Sequence, residues 1–270
     1  MSNKIAVLMS VYKADRLEFL KLSVESILNQ TCQDFHFYIA VDGPVSEQVK
    51  AYLEDVSLNT QVSIRFYDDN RGLASRLNLL LEEVCRENYR YIARMDADDI
   101  SEPERFTKQL SYIEKFNVDV LGTDVTEIDE LGQFKQYKSM TAKHVEIKDK
   151  IVRRCPVNHP TVMIKANWFR EKGFRYDDSL MNTQDYELWL RLMKAGAVFS
   201  NVNESLLQFR VDKNFFKRRN IKKVFNEVRF KYLAYVEFSK RISDLIFIGA
   251  FFILRVSPKF IQKIAYKRLR

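Results

Sequence analysis

Three carboxylates stand within four residues at Asp96-Ala97-Asp98-Asp99, directly after the apolar run 89–95. Like charges gathered at the mouth of a buried strand repel one another unless a cation or hydrogen-bond donors offset them. Hard divalent cations such as Mg²⁺ and Mn²⁺ prefer carboxylate oxygen, and Mg²⁺ is commonly held by one or two carboxylates together with substrate phosphates. The run therefore reads as a metal site serving a phosphate-bearing substrate. Two other readings use the same residues. One is an acidic turn capping a helix that starts after Ser101-Glu102-Pro103-Glu104. The other is an aspartate nucleophile that attacks phosphorus, because Asp96-x-Asp98-x-Ile100 approximates the D-x-D-x-[TV] pattern of phosphatases. That pattern usually opens its domain, whereas here three strand-like runs precede it.

Those runs supply the frame. Residues 4–11 are short and mostly apolar, as in a strand buried on both faces. Leu17, Leu20, Val24, Ile27 and Leu28 recur at helical spacing over 16–30. Residues 35–41 read as a second strand ending in the turn signal Asp42-Gly43-Pro44, and 47–55 as a helix. A third strand over 62–67 leads to Asp68-Asp69-Asn70-Arg71-Gly72, and a helix over 73–87 carries Leu77, Leu80, Leu81 and Val84. Strands alternating with helices at this spacing predict an α/β domain with a mainly parallel central sheet flanked by helices. Ligands of such sheets sit outside the carboxyl ends of the strands. Tyr12, Asp42, Asn70-Arg71 and Asp96-Asp98 all follow strand ends, so topology alone gathers them on one rim. Further on, 118–121 and 161–164 read as strands, and 185–194 as a helix bearing Leu188, Leu192 and Met193.

Composition narrows the class. Of 270 residues 46% are hydrophobic and 30% charged, enough for one large domain or a domain with an appendage. No G-x-G-x-x-G follows a strand and Gly is scarce, which argues against a dinucleotide oxidoreductase. Three cysteines without a C-x-x-C pair argue against a disulfide scaffold or zinc knuckle and fit a reducing compartment. The apolar run 5–9 is too short for a signal-peptide core, so a cytoplasmic protein is expected. Charge is uneven: 213–270 hold 16 Lys/Arg against three acids, while 1–212 hold 28 against 33. The ten apolar residues 245–254 cannot span a bilayer, which needs about 20. With basic and aromatic flanks, the helical, basic tail 213–270 reads as an interfacial anchor, peripheral on the anionic inner face of the membrane. The competing reading is a helix packed on the body. No recognition motif accompanies the charge, so no nucleic-acid partner is expected.

Tyr91-Ile92-Ala93-Arg94-Met95-Asp96-Ala97-Asp98-Asp99-Ile100-Ser101 resembles the metal-binding segment of family 2 (GT-A fold) glycosyltransferases. Ser10-Val11-Tyr12-Lys13, Ser23-Val24-Glu25-Ser26-Ile27-Leu28-Asn29-Gln30-Thr31, Val41-Asp42-Gly43-Pro44 and Asn70-Arg71-Gly72-Leu73-Ala74 resemble the family's nucleotide half. Asn158-His159-Pro160-Thr161-Val162-Met163 and Gln184-Asp185-Tyr186-Glu187-Leu188-Trp189-Leu190-Arg191-Leu192 resemble its acceptor half. The segments keep the family's order over residues 4–210. The resemblance implies a GT-A, Rossmann-like domain over 1–212, with a nucleotide-binding half (1–100) and an acceptor half (101–212). It further implies a divalent cofactor, Mn²⁺ or Mg²⁺, and a nucleotide-diphosphate sugar donor. Transfer would invert the anomeric centre. The acceptor would be a saccharide, polyprenyl-diphosphate-linked, in bacterial capsule, exopolysaccharide or O-antigen synthesis.

Roles follow the matched positions. Tyr12 would lie against the base and Asp42 would accept its hydrogen bonds. Arg71 would face the diphosphate. Asp96 would contact the ribose or the metal, and Asp98 would bind the metal. Asp99 and His159 are candidates for contact with the acceptor or the diphosphate. Asp185 matches the general base that takes the acceptor's proton. Relatives often carry Glu-Asp where Gln184-Asp185 stands, so the base should be less raised in pKa than theirs. Relatives often follow Tyr-Arg with His, whereas Gln208-Phe209-Arg210-Val211-Asp212 lacks the His. The processive Gln-x-x-Arg-Trp signature is also absent, which points to single additions. A membrane protein that binds sugar nucleotides without turnover remains the alternative to an enzyme.

Overall fold

The structure is a computed structural model that describes residues 4–211 and 221–257. Its first half is β1 (Ile5–Tyr12), α1 (Leu17–Leu28), β2 (Phe35–Asp42), α2 (Glu47–Val56), β3 (Val62–Tyr67), α3 (Leu73–Val84) and β4 (Tyr91–Arg94). All four strands are parallel, in the order β3-β2-β1-β4. Alternation along β1 explains why the run is apolar throughout. Ile5, Val7, Met9 and Val11 pack with Leu20, Val24 and Ile27 of α1. Ala6 and Leu8 face the other way, into the core that holds Leu77, Leu80, Leu81 and Val84 of α3. Both faces are therefore covered, as a parallel sheet requires.

The chain runs outward from β1 to β2 and β3, then returns to the far side of β1 as β4. The order of strands thus reverses between β1 and β4, and the crevice beyond their carboxyl ends is where such sheets bind ligands. Register places Tyr12 beside Asp42, and Asp42 beside Tyr67. Leu8 pairs with Arg94, so the acidic run emerges next to the end of β1.

The second half is β5 (Ile100–Ser101), α4 (Arg105–Phe116), β6 (Val120–Ile128), β7 (Phe134–Lys138), α5 (His144–Lys150), β8 (Met163–Lys165), α6 (Asn167–Arg170), α7 (Gln184–Lys194) and β9 (Phe199–Arg210). It extends the same sheet as β4-β8-β6-β9-β5, with β7 on the edge of β6. Here antiparallel pairs mix in: β8 runs against both β4 and β6, and β5 against β9. The twelve-residue β9 has no counterpart in the sequence reading. Its middle, Asn201 to Ser205, is mostly polar, and pairing with the parallel β6 rather than an apolar pattern draws it into the sheet.

The C-terminal segment forms α8 (Ile221–Ala234), a π-helical turn (Tyr235–Ser239) and α9 (Ile242–Val256). These elements are docked on the body, which favours the packed-helix reading for the described residues. Phe230, Ala234 and Ile248 share one core with Ile147, Ile151, Tyr186 and Leu190. Asp244 is fully buried and meets Arg153 at 2.5 Å, Arg241 meets Asp149 at 2.6 Å, and Lys231 donates to the Val152 carbonyl at 2.8 Å. The outer face of α9 is nonetheless apolar and exposed at Ile242, Leu245, Ile246, Ile253 and Val256. No helix among the described residues is long and apolar enough to cross a membrane. The alternating apolar and basic stretch 261–270 lies outside the described residues.

Candidate active site

The rim above β1, β2 and β3 is built around a buried ion pair. Asp42 closes β2, is 3% exposed, and accepts three hydrogen bonds: the Arg71 and Gly72 N–H groups, each at 2.8 Å, and Arg76 Nε at 2.6 Å. Arg76 also reaches Asp69 at 2.7 Å and lies 4.0 Å over the Tyr67 ring. Gly43 permits the closeness. It takes φ +82°, and a Cβ there would stand 3.0 Å from the Asn70 nitrogen. The carboxylate expected to meet the base is turned inward and anchors the 69–72 loop. That loop presents Arg71, whose exposed side chain pairs with Asp69 at 2.5 Å. Tyr12, half-buried, stands beside Asp42 at the same level of the rim.

Three arginines offset the acidic run. Arg94 is buried, and its guanidinium donates to the Leu8 and Met95 carbonyls and to Asp96 Oδ1. Arg105, also buried, donates to the Arg94 carbonyl at 2.8 Å. Arg210, at the end of β9, donates its backbone N–H to Asp99 Oδ1 at 2.8 Å and its Nε to the Asp98 carbonyl at 2.9 Å. Arg210 is the arginine of the motif that lacks the histidine, and its position shows what it does: it pins the acidic loop to the sheet. Repulsion within the run does not by itself call for a metal, since the protein supplies its own cations.

Asp99 needs correction. It is fully buried, which counts against the expected contact with acceptor or diphosphate, and its Oδ2 has no partner among the described residues. Burial first, then the charges of Asp98 and Asp96, raise its pKa well above the ordinary carboxylate value. A carboxyl buried in this way, with its ionised form disfavoured, is a poor metal ligand. Asp98, half-buried, and Asp96, 31% exposed, remain at the surface of the run. Among the described residues no three His, Cys, Asp or Glu side chains converge as a metal cage. Two carboxylates that leave the other positions to phosphate oxygens are a donor set that Mg²⁺ or Mn²⁺ accepts, so the residues fit such an ion.

Asp185 stands on the other wall. It lies in the first turn of α7, within a cleft of about 350 Å³ that Asp96 and His159 also line. Burial is the main cause that raises its pKa, and Asp96 adds to it. The N–H groups of Tyr186 and of Asp185 itself, and then Lys223, pull the other way. Burial raises the pKa although Gln184 supplies no neighbouring charge. Thr183, just before the helix, takes φ +70°, an uncommon and costly conformation for a β-branched residue. It aims the first turn of α7 at the cleft. His159 bonds Tyr176 Oη through Nε2 at 2.9 Å and packs edge-on against Trp189 at 6.0 Å. Burial, then Arg94, lower its pKa well below the ordinary value, so it is a neutral ring in the cleft wall.

The structure thus gathers Asp96, Asp185 and His159 around one cleft, with Tyr12, Asp42 and Arg71 on the adjoining rim. It adds Lys138, Asn158, Thr183 and Lys223 to the cleft, and Arg76 beneath the rim. Arg76 had a sequence signal, as an arginine on the apolar face of a helix beside Leu77 and Leu80. Lys223 had none, being one basic residue in a basic tail.

Residues 6–180 match the glycosyl transferase family 2. An uncharacterized glycosyltransferase of Methanocaldococcus jannaschii is 34% identical over 212 residues, covering 77% of this chain and 70% of that protein. The amylovoran biosynthesis glycosyltransferase AmsE of Erwinia amylovora is 34% identical over 215 residues, covering 79% of each. A UDP-Gal:alpha-D-GlcNAc-diphosphoundecaprenol beta-1,3-galactosyltransferase of Escherichia coli is 26% identical and covers 98% of this chain and 96% of its own. In fold, the chain is similar to S. aureus TarS 1-349 in complex with UDP-GlcNAc, with a TM-score of 0.70 at 14% identity over 93% of this chain and 72% of that one. It spans 43% of a longer TarS chain. The ordered motifs, the GT-A-like sheet and the match over residues 6–180 make this chain a glycosyltransferase of family 2.

Proposed function

We propose that the chain transfers one sugar, with inversion, from a nucleotide-diphosphate sugar to a hydroxyl of a polyprenyl-diphosphate-linked saccharide in the synthesis of a bacterial surface polysaccharide. The observation that carries this reading is that Asp96 and Asp185, 89 positions apart in sequence, line one cleft. A base must work on the face of the sugar opposite the leaving diphosphate, so it must come from a different segment than the groups that hold the diphosphate. Tyr12 stacks on the base, the 69–72 loop held by Asp42 carries Arg71 towards the diphosphate, and Asp185 takes the acceptor's proton. A divalent cation, Mn²⁺ or Mg²⁺, held by Asp98 with Asp96, would neutralise charge on the departing diphosphate. The names of the amylovoran and diphosphoundecaprenol relatives support the pathway and the acceptor. Family membership sets aside the aspartate-nucleophile phosphatase.

The deciding experiment screens UDP, GDP and dTDP sugars for binding with Mn²⁺ or Mg²⁺, then for transfer to a lipid-diphosphate saccharide. Binding without turnover on any acceptor would favour the non-catalytic alternative. Asp98→Ala is expected to lower kcat by about 10²–10³ and to weaken metal-dependent donor binding. Transfer that persists in EDTA would contradict the metal assignment.

The same reading places the protein in the cytoplasm, on the inner face of the membrane. The apolar outer face of α9, within a tail of 16 Lys/Arg against three acids, supports an anionic lipid surface as its partner. Ile246→Glu and Ile253→Glu alter side chains that are each 66% exposed, so the fold should survive. Both are expected to reduce sedimentation with phosphatidylglycerol vesicles. Undiminished binding of the double variant would remove α9 from the interface.

A further inference from the structure

The cleft at Asp185 holds two cations that the donor half does not supply. Lys138 closes β7 and donates to Asn158 Oδ1 at 2.6 Å, which fixes its ammonium at the cleft wall. Lys223 comes from α8, in the segment whose charge first suggested a separate anchor. Among the residues lining this cleft, only Asp96 belongs to the nucleotide-binding half. A neutral sugar hydroxyl gains little from two ammonium groups, whereas phosphate oxygens gain a charge-assisted hydrogen bond from each. The two lysines stand with Asp185, the group that must face the acceptor, whereas Arg71 stands on the nucleotide rim.

We propose that Lys138 and Lys223 bind the phosphate oxygens of a phosphorylated acceptor, holding its reducing-end phosphate while the acceptor hydroxyl meets Asp185. This rests on the glycosyltransferase reading above and assigns its acceptor a site. Helix α8 becomes part of that site, which explains why the C-terminal segment is packed into the body rather than hung from it. Phe225 of α8 meets Phe252 of α9 with ring centroids 5.9 Å apart, and Arg255 of α9 meets Glu227 of α8 at 3.0 Å. The lysine at the cleft is therefore carried by a helix contiguous with an apolar outer face, the arrangement a lipid-borne phosphate requires.

The test uses the full chain and two acceptors with the same saccharide, one on a lipid diphosphate and one on a neutral alkyl chain. Lys138→Ala and Lys223→Ala are each expected to raise KM for the diphosphate acceptor about tenfold, the loss of one charge-assisted contact. KM for the nucleotide sugar and for the alkyl glycoside should stay unchanged, and Lys223→Arg should keep most of the wild-type KM. Unchanged donor KM also shows that the variants are folded. A rise in donor KM with an unchanged acceptor KM would assign the lysines to the nucleotide's diphosphate and overturn the proposal. Direct binding of farnesyl diphosphate, compared with farnesol, judges the site without turnover. Binding that is lost in the lysine variants sustains the site even if no donor is ever consumed, in which case the catalytic reading alone falls. If wild type prefers the diphosphate no more than the alcohol, the proposal is wrong while transfer to the neutral acceptor can still stand.

Discussion

Asp185→Asn is expected to lower kcat by about 10²–10⁴, the usual worth of a positioned general base, while leaving the binding of the nucleotide sugar within about twofold. The substitution keeps the shape of the side chain and its place in the first turn of α7, so helix and cleft remain. The wild-type pH profile carries a second part of the same prediction. As the proposed base, Asp185 would work only when ionised, and burial raises its pKa. Activity should therefore be full above that raised value and fall as pH drops through it, with the acid limb centred above the ordinary carboxylate range. The charged groups that set this limb are Asp96 across the cleft and Lys223 from α8. For stability the sign is reversed. A carboxylate with a raised folded pKa costs the fold most above that pKa, and the cost is relieved as pH falls through it. Asp185→Asn should accordingly be slightly stabilising at neutral pH, while the acid limb disappears from what activity remains. A variant with near-normal kcat would remove Asp185 from the chemistry.

How much of this was legible beforehand depended on whether a residue's environment was local. The first half was readable because each parallel strand is buried on both faces and each helix has one apolar stripe. Residues 62–67 coincide with β3, and 47–55 end one residue before α2 does. The second half was not, because β9 owes its form to β6 and carries a polar middle. Among site residues, the acidic run and Asp185 could be named, but their roles depended on partners far away in sequence. Nothing local marks Asp99 as buried; that follows from Arg210, 111 positions on, donating to it. Nothing local marks Lys223 as part of the cleft, since it is one of several basic residues there, beside Lys217, Arg218, Arg219 and Lys222. The tail admits two readings, an interfacial anchor and a helix packed on the body, for a related reason. Its helices are amphipathic, and sequence alone does not say whether an apolar stripe meets lipid or protein. Here one face meets the body, at Phe230, Ala234 and Ile248, and another remains exposed.

Asp42→Ala is expected to be the most destabilising single substitution on the nucleotide rim, by about 3–5 kcal/mol, the cost of removing one partner from a buried ion pair. Arg76 is 1% exposed, so the change leaves its guanidinium, among the described residues, with the half-exposed Asp69 as its anionic partner. The Arg71 and Gly72 N–H groups lose their acceptor as well. Against a typical domain stability of about 5–15 kcal/mol the loss is large, and a clear fall in urea midpoint should report it. Arg76→Met should cost less, because Asp42 keeps both backbone donors. The double variant should recover part of the Asp42→Ala loss, since it no longer buries an uncompensated charge, but not all of it, since the two N–H groups stay unpaired. Donor binding should weaken in every variant lacking Asp42, even under conditions where the fold persists, because the loop that carries Arg71 has lost its anchor. An Asp42→Ala protein within about 1 kcal/mol of wild type would mean that the loop holds itself, and that the carboxylate is kept for a ligand instead.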